Sequence, residues 1–398
     1  MKYNFDKIID RHGTGSMKWD GADMLKSAGI TDHFNENTLP LFTADMDFEC
    51  PPSVKEEIQK VVDQNLYGYT ILDPKVQPEY YQAVTDWFRR RHDWDIKPEE
   101  MVYTDGTVNA VGYAIRAFSA PGDGIFINRP IYTPFTTTIL RSGRRVVNSQ
   151  LINQDGIYSV DFEDFEKKAA EPGTSCMILC NPHNPTGRIW SDDDLNRMYE
   201  ICQKNDIIVI SDEIHGDLIR LDKTFHPLAT LVDGKNLVTC TAANKSFNLA
   251  GLKCTNVVIT NPELRKQFTS EVGMMLPTPF AIAATIGAYN GGEEWLDELR
   301  TYIDGNFDWV ERFCRDHLPK MKMTRPEGTY ILWMDFREYG LTAKEIRRKI
   351  YVDANVTLET GKMFDPDHGA GFERICLSTR REIVREAFER IAAQFQGL

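Results

Sequence analysis

Three short segments of this chain place chemically capable residues where loops, not regular elements, must present them. The first is Asn244-Lys245-Ser246-Phe247-Asn248-Leu249-Ala250-Gly251-Leu252-Lys253, directly after the apolar run Leu237–Thr241. A lysine just past a strand end is an amine nucleophile toward carbonyl carbon, and a second basic group follows eight residues on. The second segment is Ser211-Asp212-Glu213-Ile214-His215, at the end of the run Ile207–Ser211. It sets a carboxylate at the carboxyl end of a buried strand, where α/β sheets bind ligands. The third is Asn181-Pro182-His183-Asn184-Pro185-Thr186-Gly187, after the run Cys176–Cys180. Two Asn–Pro pairs cannot continue a strand or a helix, because proline lacks the N–H and restrains its predecessor. Such a stretch is a stiff loop that presents an asparagine side chain.

Together, Lys245, Asp212 and Asn184 meet the needs of pyridoxal 5'-phosphate. The lysine condenses with the aldehyde. The aspartate pairs with the pyridinium nitrogen and keeps the ring an electron acceptor, and the asparagine donates a hydrogen bond to the ring oxygen. The 5'-phosphate needs uncapped N–H groups at a helix start and a cation. Asp105-Gly106-Thr107-Val108, opening a helical stretch over 108–119, offers the first and Lys253 the second. Other site motifs fail. Gly13-Thr14-Gly15, Gly122-Asp123-Gly124 and Gly369-Ala370-Gly371 lack the third glycine of a dinucleotide fingerprint. Gly361-Lys362 runs into Met363 and is no phosphate loop, no G-x-S-x-G elbow occurs, and the eight histidines show no zinc-ligand spacing.

The elements that would hold these segments follow a rhythm. Short β-branched runs at 124–128, 145–151, 176–180, 207–211, 237–241 and 256–260 each read as a strand buried on both faces. Helical stretches lie between them, at 160–170, after Ser191 with its acidic first turn, and at 262–271. Alternation of this kind implies a mostly parallel sheet with helices on both faces. The C-terminal third differs: a long helix over 293–318, a strand over 329–336, a helix over 342–353, a short strand near 356–358 and a closing helix over 381–395. This predicts an N-terminal segment, 1–45, packed on a small C-terminal α+β domain, 286–398, with a large domain, 46–285, between them.

Composition narrows the function. The 398 residues suffice for large cores, so no disulfide or metal is needed for folding. Lys+Arg number 46 against 59 Asp+Glu, a net charge of −13, which argues against nucleic acid and anionic membrane surfaces as partners. The first twelve residues are charged and lack the apolar core of a secretory signal. The eight scattered cysteines contain no C-x-x-C and read as buried thiols in a reducing compartment. A cytoplasmic location is expected.

The three segments resemble those of fold type I pyridoxal phosphate enzymes, the class I/II aminotransferase superfamily. The stretches at 1–20, 39–52, 67–70, 90–99 and 293–310 resemble more narrowly the cystathionine β-lyase, or C–S β-lyase, branch of the maltose-regulon modulator type. The resemblance runs from about residue 3 to residue 395. It implies an α/β fold with a large domain built on a mainly parallel seven-stranded sheet and a small α+β domain. It implies roles position by position. Lys245 matches the lysine that bonds the cofactor, Asp212 the pyridinium partner and Asn184 the ring-oxygen donor. Tyr132 matches the stacking aromatic, while Gly106, Thr107, Val108 and Lys253 match the phosphate site. Arg374 matches the arginine for the substrate α-carboxylate, through a bidentate fork. Tyr69 matches a tyrosine that reaches into the partner's site across a homodimer interface. His215 stands where most aminotransferases carry tyrosine, as in the lyase branch, and is assigned to the cofactor. Two departures stand out: Asn244 replaces the usual serine before the lysine, and the segment after Arg374 lacks the usual asparagine and proline. The implied reaction is cleavage of cystathionine or another cysteine S-conjugate to a thiol, pyruvate and ammonia. An aminotransferase on the same scaffold and a regulatory binding protein are the alternatives.

Overall fold

The computed structural model describes all residues from Met1 to Leu398. Its centre is a seven-stranded sheet. In chain order the strands are β1 (Met101–Thr104), β2 (Gly124–Arg129), β3 (Arg145–Gln150), β4 (Thr174–Cys180), β5 (Ile208–Asp212), β6 (Leu237–Thr241) and β7 (Thr255–Val258). Across the sheet they run β1-β7-β6-β5-β4-β2-β3. β2 to β6 pair in parallel, whereas β7 is antiparallel to both β1 and β6.

Strand residues alternate between two apolar layers, as a pleat requires. Ile125, Ile127, Cys176, Ile178 and Ile210 meet Ala110, Val111, Phe135 and Phe268 on one face. Phe126, Met177, Leu179 and Val209 meet Phe165, Leu195, Met198 and Tyr199 on the other. The continuous apolar runs read from the sequence are therefore central strands covered by helices on both sides. One run differs. β3 lies at the sheet edge, and its burial alternates with Arg145 exposed and Val147 and Ser149 buried, so it is not covered on both faces. The expected strand at 256–260 is shifted to Thr255–Val258 and is the one antiparallel member.

The C-terminal part builds a second, four-stranded antiparallel sheet. Its strands are β8 (Lys322–Met323), β9 (Ile331–Asp335), β10 (Glu359–Thr360) and β11 (Phe372–Cys376), in the order β8-β9-β11-β10. The helices Glu293–His317 and Arg381–Phe395 pack beside it. The helix expected over 342–353 is a short α-helix, Ala343–Arg347, that continues as a wider π-turn over Arg348–Asp353. The N-terminal segment lies against this part: Leu39–Pro40 pairs in parallel with Val356–Thr357, and Phe5 packs on Trp295 and Tyr302. The helix Pro279–Gly291 packs instead on Pro52–Gln64 and Pro78–His92. Residue 285, the expected division, falls in the middle of that helix. No helix is long and apolar enough to cross a membrane. All eight cysteines are free, and seven are buried.

Candidate active site

Strand direction gathers the site. β1, β2, β4, β5 and β6 end at the same edge of the large sheet, and the chain leaves them into Gly106, Tyr132, Asn184, Asp212 and Lys245. β7 runs the other way, so its start meets their ends and brings Lys253 to the same edge. Gly106, Thr107, Val108, Tyr132, Asn184, Asp212, His215, Lys245, Lys253 and Arg374 all line one cavity of about 640 Å³. Tyr69 does not line it and is 97% exposed.

The Lys245 ammonium donates to the Ala44 carbonyl at 2.6 Å. Burial favours its neutral form and lowers its pKa, with Asp45 partly opposing. The next residue anchors the loop. Ser246 Oγ donates to Asp217 Oδ2 at 2.9 Å, and Asp217 also meets Trp87 Nε1 and His92 Nε2. Asp212 ends β5, in register with Cys180 and Cys240. Its carboxylate accepts the Ile214 N–H at 3.3 Å. Burial pushes its pKa up to about 7. His215 is buried, its Nδ1 has no partner, and burial with Lys245 and Arg374 nearby lowers its pKa to about 3, so it is neutral. Burial also raises the Tyr132 hydroxyl to about 12.

Asn184 is presented by a braced loop in which both Asn–Pro bonds are cis. His183 is buried beneath it, 2.8 Å from Thr186 Oγ1, and faces Trp190 edge-on. It acts as a brace and does not line the cavity. Gly187 closes the loop at φ +71°, where a Cβ would lie 2.2 Å from Pro326 Cβ. Asn184 Oδ1 accepts from Arg374 Nη1 at 2.8 Å. Arg374, 1% exposed in β11, pairs with Glu359 directly opposite it in β10. Burial opposes its charge, but Glu359 more than offsets this and raises the pKa.

These residues fit pyridoxal phosphate. Asp212 is a buried carboxylate with no basic side chain on it, which is the environment a pyridinium nitrogen satisfies. Gly106 holds φ +120° ahead of the helix Thr107–Phe118, which has no side-chain cap, so its first N–H groups face the cavity beside Lys253. Thr107 Oγ1 lies 2.9 Å from Thr255 Oγ1, tying that helix start to β7. Sequence reasoning missed Glu359, and it missed the Thr43–Ala44 backbone beneath Lys245. Nothing in the spacing of Glu359 marked it, since its role comes from strand register.

A mainly parallel seven-stranded sheet with a polar, lysine-bearing cavity at its carboxyl edge defines an α/β transferase-type fold. The chain belongs to the family described as aminotransferase class I and II, whose model matches residues 36–391. It is 38% identical to cystathionine beta-lyase PatB of Bacillus subtilis over 395 residues, covering 98% of this chain and 99% of that one. Cystalysin from Treponema denticola, whose structure contains a pyridoxal 5'-phosphate cofactor, superposes with a TM-score of 0.92 at 34% identity, covering 99% of both chains. The pyridoxal phosphate-bound C-S lyase from Staphylococcus hominis superposes at 0.90 with 31% identity, again covering 99% of both.

Proposed function

We propose that this chain is a pyridoxal phosphate-dependent C–S β-lyase that cleaves L-cystathionine or a related cysteine S-conjugate to a thiol, pyruvate and ammonia. The observation that carries this reading is the single cavity in which Lys245, Asp212, Asn184 and Arg374 converge. Its near-full-length likeness to PatB and cystalysin supports the same reading. The cofactor supplies an aldehyde that captures the substrate amine and a ring that takes up the electron pair left at Cα.

This chain's own residues do the rest. Arg374 would hold the substrate carboxylate and so fix the direction of the Cα–H bond, while Asn184, whose Oδ1 accepts from Arg374, would donate from its amide nitrogen to the ring oxygen. Lys245, eased toward its neutral form by burial, would be the amine that holds the cofactor's aldehyde. The same amine, set against the Ala44 carbonyl, would be the base that takes the Cα proton. Asp212, as a carboxylate, would pair with the protonated pyridine nitrogen, whose positive charge would offset the burial that penalises its own. The electron pair from Cα would form the Cα–Cβ double bond as the Cβ–S bond breaks, and the sulfur would leave as thiol with the proton Lys245 had taken. The three-carbon remainder hydrolyses to pyruvate and ammonia. Tyr132 would stack on the ring, His215 would support it as a neutral imidazole, and Gly106, Thr107, Val108 and Lys253 would hold the phosphate.

The proposed assembly is a cytoplasmic homodimer. Leu66, Tyr69, Ile71, Val76 and Met274 form an exposed apolar set in the lone chain, a surface that a second copy would cover. Tyr69 would then reach the partner's cavity. Within each subunit, residues 46–285 are read as the cofactor-binding unit, its last helix running on to Gly291. Residues 1–45 join the C-terminal residues in the small unit. Lys245→Ala tests the chemistry: pyruvate formation and the visible absorbance of lysine-bound cofactor should both vanish, and retention of both would overturn the assignment.

A further inference from the structure

The carboxylate-binding end of the cavity already contains a carboxylate. Glu359 and Arg374 are direct cross-strand partners, so their side chains stand on one face of the small sheet. Arg374 Nη2 donates to Glu359 Oε2, while Nη1 donates to Asn184 and Nε has no partner. The same Glu359 Oε2 accepts the Thr43 N–H at 2.9 Å, next to the Ala44 carbonyl that holds Lys245. The Glu359 side chain is 12% exposed and lines the cavity. A ligand carboxylate that docks on Arg374 must therefore displace or share this internal anion.

We propose that Glu359 is a specificity-determining residue that makes the site favour α-amino acids over 2-oxo acids. This rests on the reading of Arg374 as the substrate carboxylate site. With Glu359 present, the pair is electrically neutral, and a ligand bearing only a carboxylate brings an uncompensated negative charge beside a second carboxylate. An amino acid brings its ammonium with it, one carbon from the carboxylate, and that charge offsets Glu359. Two unit charges about 6 Å apart at an effective dielectric near 20 change binding by a factor of about one hundred, and partial solvent screening reduces this to about ten. Such discrimination would disfavour both retention of the pyruvate product and entry of the oxo-acid acceptor that transamination needs.

The test uses holoenzyme and calorimetric titration with pyruvate and with L-alanine, which has no leaving group at Cβ. Glu359→Gln removes the charge and keeps an oxygen for the Thr43 N–H. It should tighten pyruvate about tenfold or more and change L-alanine by clearly less. Glu359→Asp, which keeps the charge, should stay closer to wild type in the ratio of the two affinities. Equal changes for both ligands in Glu359→Gln, or no change for pyruvate, would overturn the proposal. If Glu359→Gln does not fold, loss of the wild-type ratio in Glu359→Asp would overturn it. Cleavage of cystathionine by the wild type is scored separately, so loss of the lyase reading and loss of the Glu359 proposal give different results.

Discussion

Asp212 is a buried carboxylate whose charge is opposed by burial, and replacing it with asparagine exposes the energetic consequence. In the cofactor-free fold its pKa stands at about 7, against an ordinary value of 3.8, because burial penalises the charge. The rise from 3.8 to about 7 corresponds to about 4 kcal/mol. The folded value lies above the unfolded one, so the folded state keeps its proton longer as pH rises. This contribution is fully present below about pH 4 and is lost as the pH passes through about 7. Between pH 5 and pH 8 the cofactor-free wild type should lose about 3 kcal/mol relative to Asp212→Asn. Glu373 in β11, raised to about 8, is present in either protein and cancels in the difference, whereas Glu213, also raised to about 8, is held up in part by the Asp212 charge, so Asp212→Asn eases it and widens the difference in the same direction. Guanidinium denaturation of both cofactor-free proteins at the two pH values, followed by far-ultraviolet circular dichroism, measures it. Parallel pH dependence of the two proteins would refute the reasoning. Adding pyridoxal phosphate at pH 8 should reverse the order, since only the wild type offers an anion to the ring nitrogen.

Two further outcomes follow from the geometry. Gly187→Ala places a Cβ against Pro326 at a positive φ, so it should destabilise the protein by about 2 kcal/mol and weaken cofactor retention through Asn184, read by thermal unfolding and visible absorbance. If Tyr69 completes the partner's site, mixing the inactive variants Tyr69→Ala and Lys245→Ala under subunit-exchange conditions should restore activity. No recovery after confirmed exchange would place Tyr69 outside the partner's site.

Much of this was legible in the sequence, for physical reasons. Strands covered on both faces appear as unbroken apolar runs, so β2, β4, β5 and β6 could be placed within a residue or two, and the segments that follow them carry the chemistry. β1, Met101–Thr104, was missed because Val102 and Tyr103 are only half-buried and the run is four residues long. The reversal of β7 left no local mark, because direction is set by partners distant in sequence. Yet that reversal is what brings Lys253 to the cofactor edge. Glu359 was invisible for the same reason: its place opposite Arg374 is a property of register. The Ala44 carbonyl beneath Lys245 is a backbone contact across some two hundred residues, which no side-chain pattern encodes.

The central claim is elimination at Cβ without a second substrate. Purified holoenzyme supplied with L-cystathionine, and with no oxo acid, should release one pyruvate for each thiol over many turnovers. Release of thiol and pyruvate only when an oxo-acid acceptor is present, or no pyruvate at all from cystathionine and other cysteine conjugates, would contradict it.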